Sequence, residues 1–320
     1  MKKLITGIHH VTAVSGDAQE NIDFYTGLLG MRLVKKTVNF DDPKAYHFYF
    51  GDATGTADTI MTTFPYGKDL QKGRHGKGKI STTAFSLPFS SVEYWEERLT
   101  AFHITFKPVQ ERFPGEAFIY LEDDDGLGIE LVFTEKEERA GYSFSGHIPP
   151  EHSIRGIHHV ELWLESPEKT GALLTKILNH ELIHESYHRQ RYAATDAPGH
   201  YIDILRAPDA MKGLPGRGMV HHVAFATPDG ETQQQIMEKI HEYGLNTTGI
   251  KDRNYFTSIY FNEPGGIIFE IATEGPGFTA DEDLSTLGME LKLPAQYEGR
   301  RAELSKILPT FNYPTEKFKK

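Results

Sequence analysis

The 320-residue chain contains no cysteine. That absence excludes disulfides, iron–sulfur clusters, thiolate-held zinc and thiol nucleophiles together. Long apolar runs are missing too: no stretch approaches the ~18 residues of a membrane span. After Lys2 and Lys3 the apolar pair Leu4-Ile5 ends at Thr6, too soon for the core of a signal peptide. Positive charge is in deficit, with 34 Lys and Arg against 45 Asp and Glu and a net charge of −11. Basic residues gather only at Lys317, Lys319 and Lys320, and such a surface repels phosphate backbones and anionic lipid. Neither a nucleic-acid nor a membrane partner is expected, and the location expected is cytoplasmic.

Histidine, by contrast, is plentiful, at 16 residues. Without thiolates, any metal must sit on imidazole, carboxylate or water, a donor set suited to iron, manganese or zinc. The histidines recur in a pattern. Gly7-Ile8-His9-His10-Val11 returns as Gly156-Ile157-His158-His159-Val160 and as Met219-Val220-His221-His222-Val223, with a weaker echo in Ser81-Thr82-Thr83-Ala84. Each is followed by a turn, a helical stretch and three strand-like segments broken by Gly, Pro, Asn or Asp. The helices are expected over 18–29, ended by Gly30, then 92–101, 170–178 and 232–243. Asp17 and Pro167 suit helix starts. Strands are expected over 104–112, 116–121 and 128–133 in the second unit, and over 247–254, 257–261 and 266–272 in the fourth.

The spacing predicts an α+β fold of four βαβββ modules, at 1–64, 79–134, 155–206 and 219–273, and a tail over 274–320 wrapping the outside. One curved sheet cannot cover its own concave face, so the modules should pair into two cupped half-barrels: 1 with 4, and 2 with 3. The connections 65–79, 135–155 and 206–218 read as surface segments, including the mobile run Arg74–Lys79. Glu122–Gly126 reads as a hairpin turn, without the alternation of a calcium loop. Phe24, Tyr25 and Trp95 read as helix-packing core.

Alternation lets only one histidine of each pair face the concave side. His222 shares its face with the small Ala224 and Ala226, whereas His221 shares with Val223 and Phe225, so the second histidine is expected inward and the first outward. Glu270 lies between Phe269 and Ile271 in a segment that reads as sheet interior, where an ionised carboxylate needs a partner such as a metal. Two imidazoles and one carboxylate leave about three positions open, the facial arrangement of non-haem Fe(II) oxygenases. His222 and Glu270 come from module 4. The third donor is His10 or His159; Glu161 and Trp163 crowd the His159 face, and pairing modules 1 and 4 favours His10. His159, Glu130 and Asp203 then read as structural remnants of duplicated modules.

The combination of GIHHVT, VHHVAF and a closing GxxxE resembles the vicinal oxygen chelate superfamily over essentially the whole chain. More narrowly, it resembles the bacterial hydroquinone-type ring-cleaving extradiol dioxygenases, including those associated with quinone stress in Gram-positive bacteria. The resemblance implies a glyoxalase/bleomycin-resistance/dioxygenase-like fold and an Fe(II) centre, with Mn(II) as a possible replacement, on His10, His222 and Glu270. It implies supporting groups at His9, Thr12, His221, Arg253 and Tyr260. It also implies a small aromatic diol and O2 as reactants, and it admits a homo-oligomer. Arg253 would stabilise developing negative charge, Tyr260 would donate to bound oxygen, and His221 or His9 would move the phenolic proton. Thr12 would shape the pocket. Close approach of His9 and His221 conflicts with strict strand alternation unless the strand is bulged. The rival readings are a glyoxalase-like metal-dependent isomerase or lyase, and a non-catalytic aromatic-binding protein.

Overall fold

The computed structural model describes residues 3–144 and 146–319; Met1, Lys2 and Lys320, which belong to the terminal basic stretches considered above, lie outside the described residues. Sixteen strands run in chain order. The first four are β1 (Gly7–Ser15), β2 (Arg32–Val38), β3 (Tyr46–Gly51) and β4 (Ile60–Pro65). Next come β5 (Lys79–Pro88), β6 (Gln110–Phe113), β7 (Glu116–Glu122) and β8 (Gly128–Thr134), then β9 (Gly156–Leu164), β10 (Glu181–Glu185), β11 (Arg189–Ala193) and β12 (Tyr201–Arg206). The last are β13 (Met219–Thr227), β14 (Lys251–Asp252), β15 (Thr257–Asn262) and β16 (Ile268–Thr273). They form two eight-stranded sheets, ordered β14-β15-β16-β13-β1-β4-β3-β2 and β10-β11-β12-β9-β5-β8-β7-β6. Each sheet is a curled half-barrel in an α+β fold. At its centre two strands rich in β-branched residues run antiparallel, β1 against β13 and β5 against β9.

Helices α1 (Ala18–Ile22), α2 (Val92–Ala101), α3 (Glu168–Lys176) and α4 (Gly230–Glu242) follow the first strand of each group. Asp17 caps α1 by accepting from the Gln19 and Glu20 amides at 2.8 and 3.0 Å, and Asp229 caps α4 through the Thr232 amide. One continuous core joins Ile22, Tyr25, Phe50, Trp95, Phe133, Phe225 and Phe269. The expected helix 18–29 is α-helical only to Ile22 and widens to a π-helix over Asp23–Leu28. Here Gly27 meets the tail, and a Cβ at Gly27 would lie 2.8 Å from the Lys317 carbonyl oxygen.

Two expected strands are shorter than their sequence pattern. Pro108 removes a ladder donor and interrupts the pairing, so an isolated bridge of Phe106 to Leu121 precedes a strand that begins at Gln110. Asn254, at φ +65°, ends the extended backbone after Asp252. The connections also differ from free surface segments. Lys72, Arg74 and Lys77 bridge Arg217, Leu214 and Lys212, and a Cβ on Gly76 would lie 2.2 Å from the Met211 carbonyl oxygen. The hairpin turn at 122–126 is present, and its Asp125 ties to Gly16 and Arg217.

The tail does more than wrap the outside. It forms a 3-10 turn over Ala295–Arg300 and then α5 (Arg301–Ile307), but its Phe278 and Leu287 insert beside Val34, Tyr49, Ala224 and Ala272. Lys35, fully buried, ion-pairs with Asp281 at 2.6 Å and Glu282 at 2.5 Å. Apolar area supplies the reason: the concave wall of the first sheet would otherwise face water.

Candidate metal centre

Across the central seam of the first sheet, Ile8 pairs with Phe225 and His10 with Ala224, so His9 has no partner. Further along, Thr12 pairs with His222 and Ala13 with Val220, so His221 has none. Each first histidine is the extra residue of a β-bulge, which re-aims its side chain. The expectation that His9 and His221 point away therefore fails. His9 Nδ1 lies 2.9 Å from His10 Nδ1, and His221 Nδ1 lies 2.8 Å from His222 Nδ1. His9 also packs on Phe256 at 4.8 Å between ring centroids, while His221 lines the cavity.

The bulges leave both second histidines with Nε2 aimed at Glu270. His10 Nε2 and His222 Nε2 are 3.3 Å apart, and they lie 3.3 and 2.8 Å from Glu270 Oε2. All three residues are buried. Among the described residues they form the one group of three potential ligands with mutually close donor atoms. Ser258 Oγ donates to Glu270 Oε1, but Oε2 accepts no aligned hydrogen bond despite its near neighbours. Burial pushes the Glu270 carboxyl up, yet the His10 and His222 imidazoles outweigh it and hold the group well below the usual carboxylate range. Burial takes His222 below its ordinary value, against the pull of Glu270. It takes His9 down to about 3, helped by His10. An ionised carboxylate beside a neutral imidazole is the protonation state a divalent metal requires.

Around these donors lies a cavity of about 390 Å3. Tyr260 faces Glu270 across the β15–β16 ladder, and its ring lies 5.7 Å from that of His222. Arg253 Nε donates to the Tyr260 hydroxyl at 3.1 Å, and its other arm reaches Asp41 at 3.2 Å. Burial, then Glu270, raises the Tyr260 pKa, so its proton stays on. Thr12 accepts from Thr62 Oγ1 at 2.8 Å.

That last contact ends a row the sequence reading missed. Tyr49 Oη donates to His47 Nδ1 at 2.9 Å, and His47 Nε2 donates to Thr62 Oγ1 at 2.9 Å. Burial above all, with His10 and His222 close by, keeps His47 well below its ordinary value and neutral. A signal was available: His47 and Tyr49 alternate with the buried Phe48 and Phe50, the pattern of a strand with a polar concave face. His159, Glu130 and Asp203 are not brought here; they sit in the second sheet.

Comparison with known proteins identifies the family and the fold. The Glyoxalase/Bleomycin resistance protein/Dioxygenase superfamily profile matches residues 7–131 and 156–271. The chain is 41% identical, over 97% of its length and 98% of the relative's, to a Bacillus subtilis (strain 168) protein named "Putative ring-cleaving dioxygenase MhqO". It is 34% identical, over 97% of each chain, to the chlorohydroquinone/hydroquinone 1,2-dioxygenase of Sphingobium indicum. A crystal structure of a "putative dioxygenase" from Bacillus subtilis subsp. subtilis str. 168 superposes with a TM-score of 0.92 at 41% identity, covering 97% of this chain and 98% of that one. Glyoxalase I from Zea mays, at 16% identity and a TM-score of 0.64 over 84% of this chain and 92% of that one, shares the fold. The chain belongs to the glyoxalase, bleomycin-resistance and dioxygenase superfamily.

Proposed function

We propose that this chain is a ring-cleaving dioxygenase for hydroquinone-type aromatic diols, dependent on Fe(II) held by His10, His222 and Glu270. The observation that carries the reading is the buried Glu270 Oε2, without an aligned donor and within 3.3 Å of two imidazole Nε2 atoms. A buried anionic oxygen left so is costly, and a divalent cation satisfies it together with both nitrogens. Relatives named for ring cleavage and for chlorohydroquinone and hydroquinone support the substrate class. When bound, the metal supplies a template and redox conduit between the diol and O2.

The chain's own groups do the rest. His9 and His221 set the tautomers of His10 and His222: with Nε2 free to ligate, each ligand carries its proton on Nδ1 and donates it to the neighbouring Nδ1. His9 passes the chain of hydrogen bonds on to the Thr273 backbone. Because the Tyr260 oxygen accepts from Arg253, its own proton is free to point into the cavity and meet oxygen as negative charge develops. His221, on the cavity wall, accepts from His222 at Nδ1 and so presents its Nε2 proton to the oxygen of an incoming phenol. The aromatic wall of Phe256 and Phe64, with Ile268, fits a planar ring and excludes water from it. Both atoms of O2 enter the product as one ring carbon–carbon bond breaks, so no external reductant is consumed.

The test is anaerobic loading of the purified chain with Fe(II), followed by oxygen-electrode assays over a panel of hydroquinones and catechols without added reductant. One O2 consumed per ring opened is the expected result. Turnover of a hemithioacetal without O2 would favour the isomerase reading instead. Loss of activity in His10→Ala and Glu270→Gln, with the fold intact by circular dichroism, ties the reaction to this centre.

A further inference from the structure

The second sheet repeats the metal cup with its parts rearranged. In the first cup His10 lies opposite Ala224, Ala224 lies beside Glu270, and Tyr260 faces Glu270. In the second cup His159 lies opposite Ala84, Ala84 lies beside Glu130, and Tyr120 faces Glu130. His158 is the extra residue of a bulge, as His9 is, and its Nδ1 meets His159 Nδ1 at 2.9 Å. One imidazole is exchanged. Where His222 faces Thr12 in the first cup, Thr82 faces Glu161 in the second. His159 Nε2 remains 3.6 Å from Glu130 Oε2 and 3.7 Å from Asp203 Oδ2, although the three donors are not all as mutually close as those of the first triad.

A side chain fills this gap. Arg112 Nη1 lies 2.8 Å from Glu130 Oε2 and 3.2 Å from His159 Nε2, and its Nη2 lies 2.7 Å from Glu130 Oε1. Arg112 falls at a register shift of β6, between Glu111 and Phe113, and its guanidinium lies over the Phe118 ring at 4.1 Å. An arginine N–H can only donate, so His159 accepts at Nε2 and carries its proton on Nδ1. That is the tautomer a metal demands of His10. The wider cluster sets Glu116, Glu130, Glu161 and Asp203 against Arg112, Arg189 and Arg191. Carboxylates already outnumber guanidinium groups there, so loss of one cation leaves a buried carboxylate that must take up a proton or another cation.

We propose that the Arg112 guanidinium is the resident cation of the second cup, standing where a divalent metal would stand, and that removing it makes His159, Glu130 and Asp203 a second divalent-metal site. The natural chain then takes one metal, because its other cup already holds a cation between His159 and Glu130.

The experiment is equilibrium dialysis of the metal-depleted full chain against Mn(II), with electron paramagnetic resonance of the free ion. Wild type is expected to bind one equivalent and Glu270→Ala none. Adding Arg112→Ala to Glu270→Ala should restore one equivalent, located in the second cup. Glu130→Gln in that double variant should abolish it, and Arg112→Lys in place of Arg112→Ala should bind none, because the charge is kept. Thermal unfolding supplies a second readout: Mn(II) should raise the midpoint of the Arg112→Ala variants, or refold them if they are unfolded without metal. An Arg112→Ala chain that neither binds nor is stabilised at millimolar Mn(II) overturns the proposal, as does an added equivalent indifferent to Glu130→Gln. Failure of the first centre would show separately, as a wild-type chain that binds no Mn(II).

Discussion

The Nε2 atoms of His10 and His222 lie 3.3 Å apart across the seam between β1 and β13, although 212 residues separate them in the chain. Neither nitrogen is free to turn away. Each ring is held from behind by the neighbouring histidine, and both nitrogens face one carboxylate oxygen. A metal ion would meet this donor set already in place.

Removing Glu270 should therefore cost more than removing any supporting partner. Glu270→Ala is expected to weaken Fe(II) or Mn(II) binding by more than ~100-fold, beyond the range for outer hydrogen-bond partners. Metal content after dialysis checks it. Retention of one equivalent would remove Glu270 from the site.

His9→Ala should weaken metal binding or turnover by ~10–100-fold while leaving all three donors in place. His9→Gln, whose amide oxygen can accept from His10 Nδ1, should recover part of the loss. Competition titration against a chelator reads the affinity directly.

Tyr260→Phe removes the proton that points into the cavity but keeps the ring. A loss of roughly 100-fold in kcat, with little change in KM, is expected for one oriented donor at developing charge. Metal stoichiometry should be unchanged. Arg253→Lys should lower kcat as well, because an ammonium cannot reach the Tyr260 hydroxyl and Asp41 in the fork geometry.

The tail should matter for stability. Phe278→Ala empties a buried site among Val34, Tyr49 and Leu287 and should cost about 3–5 kcal/mol. Chemical denaturation measures this, and a loss under 1 kcal/mol would show that the tail does not pack there in solution.

Acid should weaken the second cup. Burial pushes the Asp203 carboxyl up, but Arg191 and Arg189 overcome it and hold it down at about 2, against an ordinary value of 3.8. A depressed folded pKa contributes stability that is present above the unfolded value and lost as pH falls through the folded one. The loss should appear between about pH 4 and pH 2 and reach about 2 kcal/mol. Denaturant midpoints across that window should flatten in Asp203→Asn relative to wild type.

Local pattern carried much of this protein. The repeated Gly-Ile-His-His-Val, the alternation of small and bulky residues after it, and Glu270 between two apolar neighbours are all short-range signals, and they were enough to read four similar units, paired curved sheets and an imidazole–carboxylate cluster. Strand and helix ends were less legible where Pro108 and Asn254 interrupt them. Other features depend on contacts between distant segments. Which histidine joins His222 and Glu270 follows from the pairing of β1 with β13, and the inward turn of His9 and His221 from a register that slips by one residue on each strand. The same long-range packing puts Phe278 into the cup wall and Arg112 between His159 and Glu130. Periodicity reports which face a residue prefers, but a bulge changes the face without changing the composition, and only the partner strand decides where it falls.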